Sequence, residues 1–265
     1  SGRSLAKFFD QWLHSPGYPK LKVATRFSKT DEEFSITITQ TQESSTDTPA
    51  DKRIGLFDLS LEFGLQGADG TWTYHTVDMN EKQHVFVVAC AQDPHQVVID
   101  PFTKLLHQLD FDPGVDMLKD SLAQCPHISG RIHAAETLGK SGKHTAIEAL
   151  KGAYGSEPHW GVRTVIARSL GQAGTAQAAD ALATLLDTEC DARAMRALVI
   201  ACGEYRSQKI AQKLAEWIRV PGRPYWALGS ALKALGKQRS NADADLIKSH
   251  LSDAGWWGWV RRDAQ

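Results

Sequence analysis

RIHAAETLG (131–139), RTVIARSLG (163–171) and MRALVIACG (195–203) are three versions of one short apolar helix that ends on glycine. ALGSALKALG (227–236) brings the pattern back a fourth time, one residue later in phase. A period of about 32 residues carried by paired helices is the mark of an α-solenoid, in which each unit buries its apolar face against its neighbours. Working outward, helical periodicity begins at Val115 and predicts helices over 115–124, 128–139, 143–154, 160–170, 176–186, 192–202, 207–217, 225–235 and 242–251. Segments such as AADALATLLD (178–187) supply the second helix of each pair. Glycines 139, 171, 203 and 236 are expected to stop the first helix of each pair in a left-handed conformation. Pro126, Pro158, Pro221 and Pro224 are expected in the loops between helices.

The chain changes character before Val115. A helix is predicted over 5–14, with Phe8, Phe9 and Trp12 on one face and Pro16-Gly17 ending it. Six runs with strand character follow, over 21–27, 34–42, 54–63, 71–77, 85–91 and 97–100. LLHQLDF (105–111) offers a last edge strand. FSITITQTQ (34–42) is the clearest strand: Phe34, Ile36 and Ile38 point one way while Ser35, Thr37 and Thr39 point the other, as a sheet covered on one face requires. SKTDEE, ESSTDTPADK, QGADG and DMNEKQ separate the runs with turn compositions. Strands with short connections and no helices between them predict a small antiparallel β-sandwich. The fold class is thus multidomain β + α, a sandwich followed by an α-α superhelix. The expected domains are a helical stub over 1–17, the sandwich over 18–112 and the solenoid over 113–265.

The ends carry expectations of their own. No Met precedes Ser1-Gly2-Arg3, so the opening reads as a cut boundary, and a missing leader then says little about a parent protein. At the other end WWGWVRRDA (256–264) stands where a further unit would begin. Trp256, Trp257 and Trp259 imply either a last repeat that is truncated or a cluster folded back on the preceding helix.

Composition excludes some classes of function. The 265 residues include 30 basic and 31 acidic side chains, with no basic run, so nucleic acid is not expected as a partner. No apolar stretch approaches the roughly 18 residues of a membrane span, and no membrane partner is expected. Cys90, Cys125, Cys190 and Cys202 lack ligand spacing and are expected as free thiols, which suits a cytoplasmic location.

Candidates for chemistry are weak. The ten histidines (14, 75, 84, 95, 107, 127, 133, 144, 159, 250) contain no i, i+4 pair and no HExxH, the spacings that put two imidazoles on one metal. His133 and Glu136 could share a local hydrogen bond on one helix, but nothing marks a nucleophile or cleft beside them. GKSGK (139–143) lacks the phosphate-loop order and follows a helix, so it reads as an interhelix turn. Cys90 and His95 lack a third group to orient the imidazole. Arg131, Arg163, Arg193 and Arg196 recur near the starts of the repeat helices. They could line up as a carboxylate-binding stripe or pair with acids of the same layers, and structural pairing is the favoured reading. Trp12, Trp72, Trp160, Trp217 and Trp226 read as core or interlayer anchors. No catalytic, cofactor-binding or metal-ligating residue is assigned.

FFDQWLHSPGYPKLKV (8–23) followed by FSITITQTQ (34–42) resembles the segment just past the catalytic domain in zinc aminopeptidases of the aminopeptidase N family. VVIDPFTKLLHQLDF (97–111) resembles the strand, Asp/Asn-Pro turn and strand that close the sandwich of that family. The resemblance covers nearly the whole chain in domain order, although the compact helix pairs of constant length lie closer to HEAT repeats. It implies a non-catalytic C-terminal portion that braces the catalytic domain and restricts substrate access. Zinc, the HExxH motif and the exopeptidase motif would belong to that absent domain, and none of their residues can be placed here. The partners it implies are the missing N-terminal catalytic domain and the peptide substrates of the parent. Two alternatives stay open: a peptidase-like subunit of a larger assembly, and a free-standing HEAT-like binding protein.

Overall fold

A computed structural model describes residues 4–44, 46–49, 53–253 and 258–265. It divides into two compact units, Ser1–Met117 and Leu118–Gln265.

The first unit opens with helix α1 (Ala6–Phe9), which continues as a π-helical turn over Asp10–His14. Gly17 then reverses the chain at φ 83°, with Ile54 packed against its Cα side, so a side chain there would be both strained and crowded. Seven strands follow: β1 (Lys20–Ser28), β2 (Glu33–Gln40), β3 (Leu59–Gln66), β4 (Trp72–Met79), β5 (Gln83–Ala89), β6 (Gln96–Ile99) and β7 (Gln108–Phe111). They form two sheets, of order β5-β2-β1-β7 and β4-β3-β6. Phe34, Ile36 and Ile38 from the first sheet and Leu59, Leu61 and Phe63 from the second meet in one buried core. The alternation read from FSITITQTQ is present as read, and burying each such side chain stabilises the sandwich by roughly 1.5–3 kcal/mol.

Two strand expectations need correction. The run 54–63 enters the ladder only at Leu59. The backbone before it is satisfied by side-chain amides instead: Gln42 Nε2 donates to Gly55 O, Gln40 Nε2 to Phe57 O and Gln11 Nε2 to Asp58 O. Once those groups are paired, no neighbouring strand is needed. The sandwich is also not wholly antiparallel, because β7 pairs in parallel with β1, Lys20 opposite Gln108. The turn that feeds β7 is built on Asp100, whose buried carboxylate accepts the backbone N–H groups of Lys104 and Leu105 while its own φ is 48°.

Helix α2 (Val115–Gln124) leads into the second unit, a stack of helix pairs. The first helices are α3 (Ile128–Ser141), α5 (Trp160–Gln172), α7 (Ala192–Cys202) and α9 (Tyr225–Lys237); the second helices are α4 (His144–Ser156), α6 (Ala176–Leu185) and α8 (Gln208–Arg219). After α9 the predicted helix over 242–251 is replaced by a 3₁₀ turn, Asn241–Asp243, and the short α10 (Ala244–Ser249). Helix α11 (Trp259–Ala264) packs on α9 and buries Val260. Trp256 and Trp257 lie outside the described residues. The first helices stack as a layer, α3 on α5 on α7 on α9 on α11, and this layer is much more closely packed than that of the second helices.

The repeat glycines explain that closeness, and they correct a further expectation. Gly139, Gly171 and Gly236 lie inside helices, and Gly203 has a right-handed φ of −68°. The left-handed positions fall later, at Gly142 and Gly174. A Cβ on Gly139 would stand 2.6 Å from Ser169 Cβ, one on Gly171 3.0 Å from Ala201 Cβ, and one on Gly203 3.2 Å from Ala234 Cβ. Each of these glycines is therefore the contact point of one first helix with the next. Gly236 has no such contact among the described residues, where Ile247 Cδ1 at 4.0 Å is the one atom near its Cβ position. All four prolines stand outside the helices as expected, Pro224 as the N-cap of α9.

Candidate functional site

Arg131 and Arg163 take up equivalent places in successive layers. Arg131 Nε and Nη2 grip Glu157 at 2.7 and 3.1 Å, while Nη1 donates to Cys125 O and Pro126 O. Arg163 repeats the arrangement in the next layer, gripping Glu189 at 2.8 and 3.2 Å and donating to Glu157 O and Pro158 O. Each glutamate also accepts the backbone N–H groups that begin the next loop, His159 for Glu157 and Cys190 and Asp191 for Glu189. Tyr154 donates to Glu189 as well. These bonds and the Arg163 charge hold the Glu189 carboxyl below the usual carboxylate range, although burial pushes it the other way. Burial beside this carboxylate drives the Tyr154 hydroxyl far above the ordinary range of tyrosine. Bidentate pairs with side chains this buried fix loop against loop and leave neither arginine free to bind a ligand.

Arg193 and Arg196 behave differently. Arg193 pairs with Asp191, the N-cap of α7, and its guanidinium lies 4.0 Å from the centre of the Trp160 ring. Hydrogen bonds from Arg193 hold the Asp191 carboxyl far below its ordinary range. Arg196 donates to Ser230 Oγ and pairs with no carboxylate among the described residues. Both arginines line a groove of about 680 Å³ across α5, α7 and α9, together with Trp160, Arg168, Ile200 and Trp226.

Of the tryptophans expected as core or interlayer anchors, Trp160 and Trp226 are not core residues, being 37% and 39% exposed, whereas Trp217 is buried. The sequence does carry the signal. Trp160, Arg193, Trp226 and Trp259 succeed one another at a constant spacing of one repeat, so they occupy one row along the first layer. Arg168, which sequence reasoning misses, is exposed about two turns after Trp160 on the groove side of α5.

The remaining candidates are dispersed. The expected interhelix turn over 139–143 is shorter than read: Gly139–Ser141 end α3, with Ser141 Oγ donating to Leu138 O, and only the left-handed C-cap Gly142 and the N-cap Lys143 link α3 to α4. His133 and Glu136 lie on α3, with Glu136 facing solvent. The Cys90 thiol donates to Gln92 O, and the backbone of His95 to Gln66 O. All four cysteines are free thiols, and burial pushes that of Cys202 up to about 12. His75 stacks on Phe63 with Phe86 tilted against it, its buried Nε2 has no hydrogen-bond partner among the described residues, and burial lowers its pKa. Among the described residues no three His, Cys, Asp or Glu side chains come together as a metal site. No helix among them is long and apolar enough to cross a membrane.

Residues 115–201 match the family model of HEAT repeats. No curated protein matches the sequence. Among solved structures the whole chain is similar to Legionella pneumophila aminopeptidase A in complex with aspartic acid, at 12% identity and a TM-score of 0.47, and spans 33% of that chain. Part of it, 57%, is similar to human deoxyhypusine hydroxylase in complex with glycerol, covering 70% of that chain at 18% identity and a TM-score of 0.34.

Proposed function

We propose that the chain is the non-catalytic C-terminal portion of a zinc-dependent aminopeptidase of the aminopeptidase N family. Its sandwich would brace the catalytic domain, its solenoid would restrict access of peptide substrates, and zinc would reside in the catalytic domain. The observation that carries this reading is the helix ahead of the sandwich. Phe8, Phe9 and Leu13 are exposed there, while Trp12 turns inward onto Phe57 and the sandwich core. A face with three large apolar side chains open to water is suited to burial against another folded body. It sits immediately before the Gly17-Tyr18-Pro19 turn and β1, the order in which the resembling peptidases leave their catalytic domain. No catalytic residue of the proposed parent is assigned to this chain.

The test is to express the reading frame extended upstream of Ser1 beside the chain as it stands. The extended protein should hold zinc near stoichiometry and hydrolyse aminoacyl amides, and Phe8→Asp with Phe9→Asp in it should loosen the sandwich from the domain ahead of it in limited proteolysis. Near-stoichiometric zinc or peptidase activity in the present chain alone would overturn the proposal, as would an upstream frame without HExxH. The groove of tryptophan and arginine on α5, α7 and α9 favours a second reading, an interaction scaffold without peptidase chemistry.

A further inference from the structure

We infer that the face of α5, α7 and α9 is a docking site for an extended acidic peptide segment whose acidic and apolar side chains alternate with a period of about three residues. The inference does not depend on the peptidase reading. Charge is the first argument. Arg168 and Arg196 face the groove without a carboxylate partner among the described residues. Arg193 joins them, its charge shared with Asp191. The one acidic residue lining the groove, Glu204, is already engaged by Lys237 at 3.0 Å. Thr164, in the same lining, keeps a buried hydroxyl with no hydrogen-bond partner among the described residues. Planar guanidinium groups beside unfilled polar positions suit carboxylates.

Shape is the second argument. The half-exposed rings of Trp160 and Trp226, with exposed Ile200 between their layers, offer apolar surface along the same path. The Arg193 guanidinium lies over the Trp160 ring, so cation and apolar surface adjoin in the groove. The groove lies on the more closely packed of the two helix layers, and solenoids use the concave surface of the stack for binding. Neighbouring packed helices lie about 8–10 Å apart. An extended chain advances about 3.3–3.6 Å per residue, so about three residues span each layer. A segment of about nine residues would then place one carboxylate and one apolar side chain on each of the three helices. A nucleic acid strand is the poorer fit, because it needs a run of phosphate-binding cations and this groove holds two that are unpaired.

The probe is a fluorescein-labelled dodecapeptide, (Asp-Leu-Glu)₄, titrated with the full chain in low salt and followed by anisotropy. It should bind and weaken with added salt. (Lys-Leu-Lys)₄ should not bind, and a labelled dT12 oligonucleotide should bind more weakly than the acidic peptide. The double variant Arg168→Glu, Arg196→Glu should lose at least ten-fold in affinity, while Lys209→Glu, on α8 and paired with Asp180, should not. A benzophenone-bearing copy of the peptide should cross-link the unmodified chain on α5, α7 or α9, a result that needs no variant to fold. Failure of the acidic peptide to bind at millimolar concentration overturns the inference. So does equal binding by the double variant, cross-linking confined to other elements, or a preference for dT12.

Discussion

Gly139→Ala and Gly152→Ala are the same chemical change in neighbouring helices, and they should have opposite effects on stability. Gly152 lies on the exposed side of α4, where an added Cβ meets nothing within 4 Å. Alanine there should stabilise the helix by about 0.8–1.0 kcal/mol. Gly139 has the same propensity to gain, but its Cβ would stand 2.6 Å from Ser169 Cβ and 3.1 Å from Ser169 Cα. The second of these atoms is backbone, so no rotamer change relieves the overlap and α3 must move off α5. Overpacking costs about 1–3 kcal/mol, and a backbone obstacle puts this case at the upper end. Subtracting the propensity gain leaves a loss of about 2 kcal/mol. For a unit of about 150 residues, 1 kcal/mol corresponds to roughly 2–4 °C. The helical signal in circular dichroism should therefore melt about 4–8 °C lower in Gly139→Ala and about 2–4 °C higher in Gly152→Ala. A Gly139→Ala protein that melts at or above the unsubstituted temperature would refute the account of the repeat glycines as helix contact points.

Four further outcomes are expected. Arg163→Ala strands the buried Glu189 carboxylate and should destabilise the solenoid by about 3–5 kcal/mol in a urea titration. Losing the exposed Lys209–Asp180 pair by Lys209→Ala should cost less than about 1 kcal/mol in the same titration. The sandwich should weaken as pH falls, because burial lowers the His75 pKa in the folded state and the unfolded chain binds the proton more readily. That contribution is complete above the unfolded value of about 6.5 and is lost below it, so melts at pH 7.5 and 5.5 should differ less in His75→Phe than in the unsubstituted chain. With a thiol-exchange dye, exposed Cys190 should react first and half-buried Cys90 more slowly. Cys125 and Cys202 should react only on unfolding; early labelling of Cys202 would contradict its burial.

The solenoid can be read from the sequence because its signal is repetition, which survives uncertainty at any single residue. FSITITQTQ is equally legible, since one strand with a covered face alternates whatever its neighbours do. What escapes depends on partners distant in sequence. Nothing local in 54–58 says that the amides of Gln40, Gln42 and Gln11 will satisfy its backbone, so an apolar run there looks like a strand. Nothing local in LLHQLDF fixes its direction beside β1. The repeat glycines mislead for a related reason: a glycine near a helix end has two common uses, and only the facing residue, Ser169 or Ala201, decides between a stop and a close approach. The surface tryptophans escape when each is weighed alone, although their spacing in whole repeats already places Trp160, Trp226 and Trp259 in one row.

The place where the arginine ladder stops is the strongest reason to treat the groove as more than surface variation. Arg131 meets Glu157 and Arg163 meets Glu189, each glutamate standing in the loop that leads to the next first helix. One repeat further, the same two positions hold Met195 and Pro221, so neither half of the pair is present. If stability alone shaped this layer, arginine would disappear from it along with the glutamate. Instead α7 carries Arg193 and Arg196, both lining the groove rather than the interlayer seam that Arg131 and Arg163 occupy. Arg223 takes over part of the structural duty one layer later, donating to Trp217 O and lying over that buried ring. Structural cations in this stack are thus fully engaged wherever the seam needs them. Of the cations that line the groove, Arg168 and Arg196 have no acidic partner among the described residues, and the half-exposed Trp160 and Trp226 share that lining. A carboxylate supplied from outside the chain would complete at Arg196 the kind of pair that Glu157 and Glu189 complete from within.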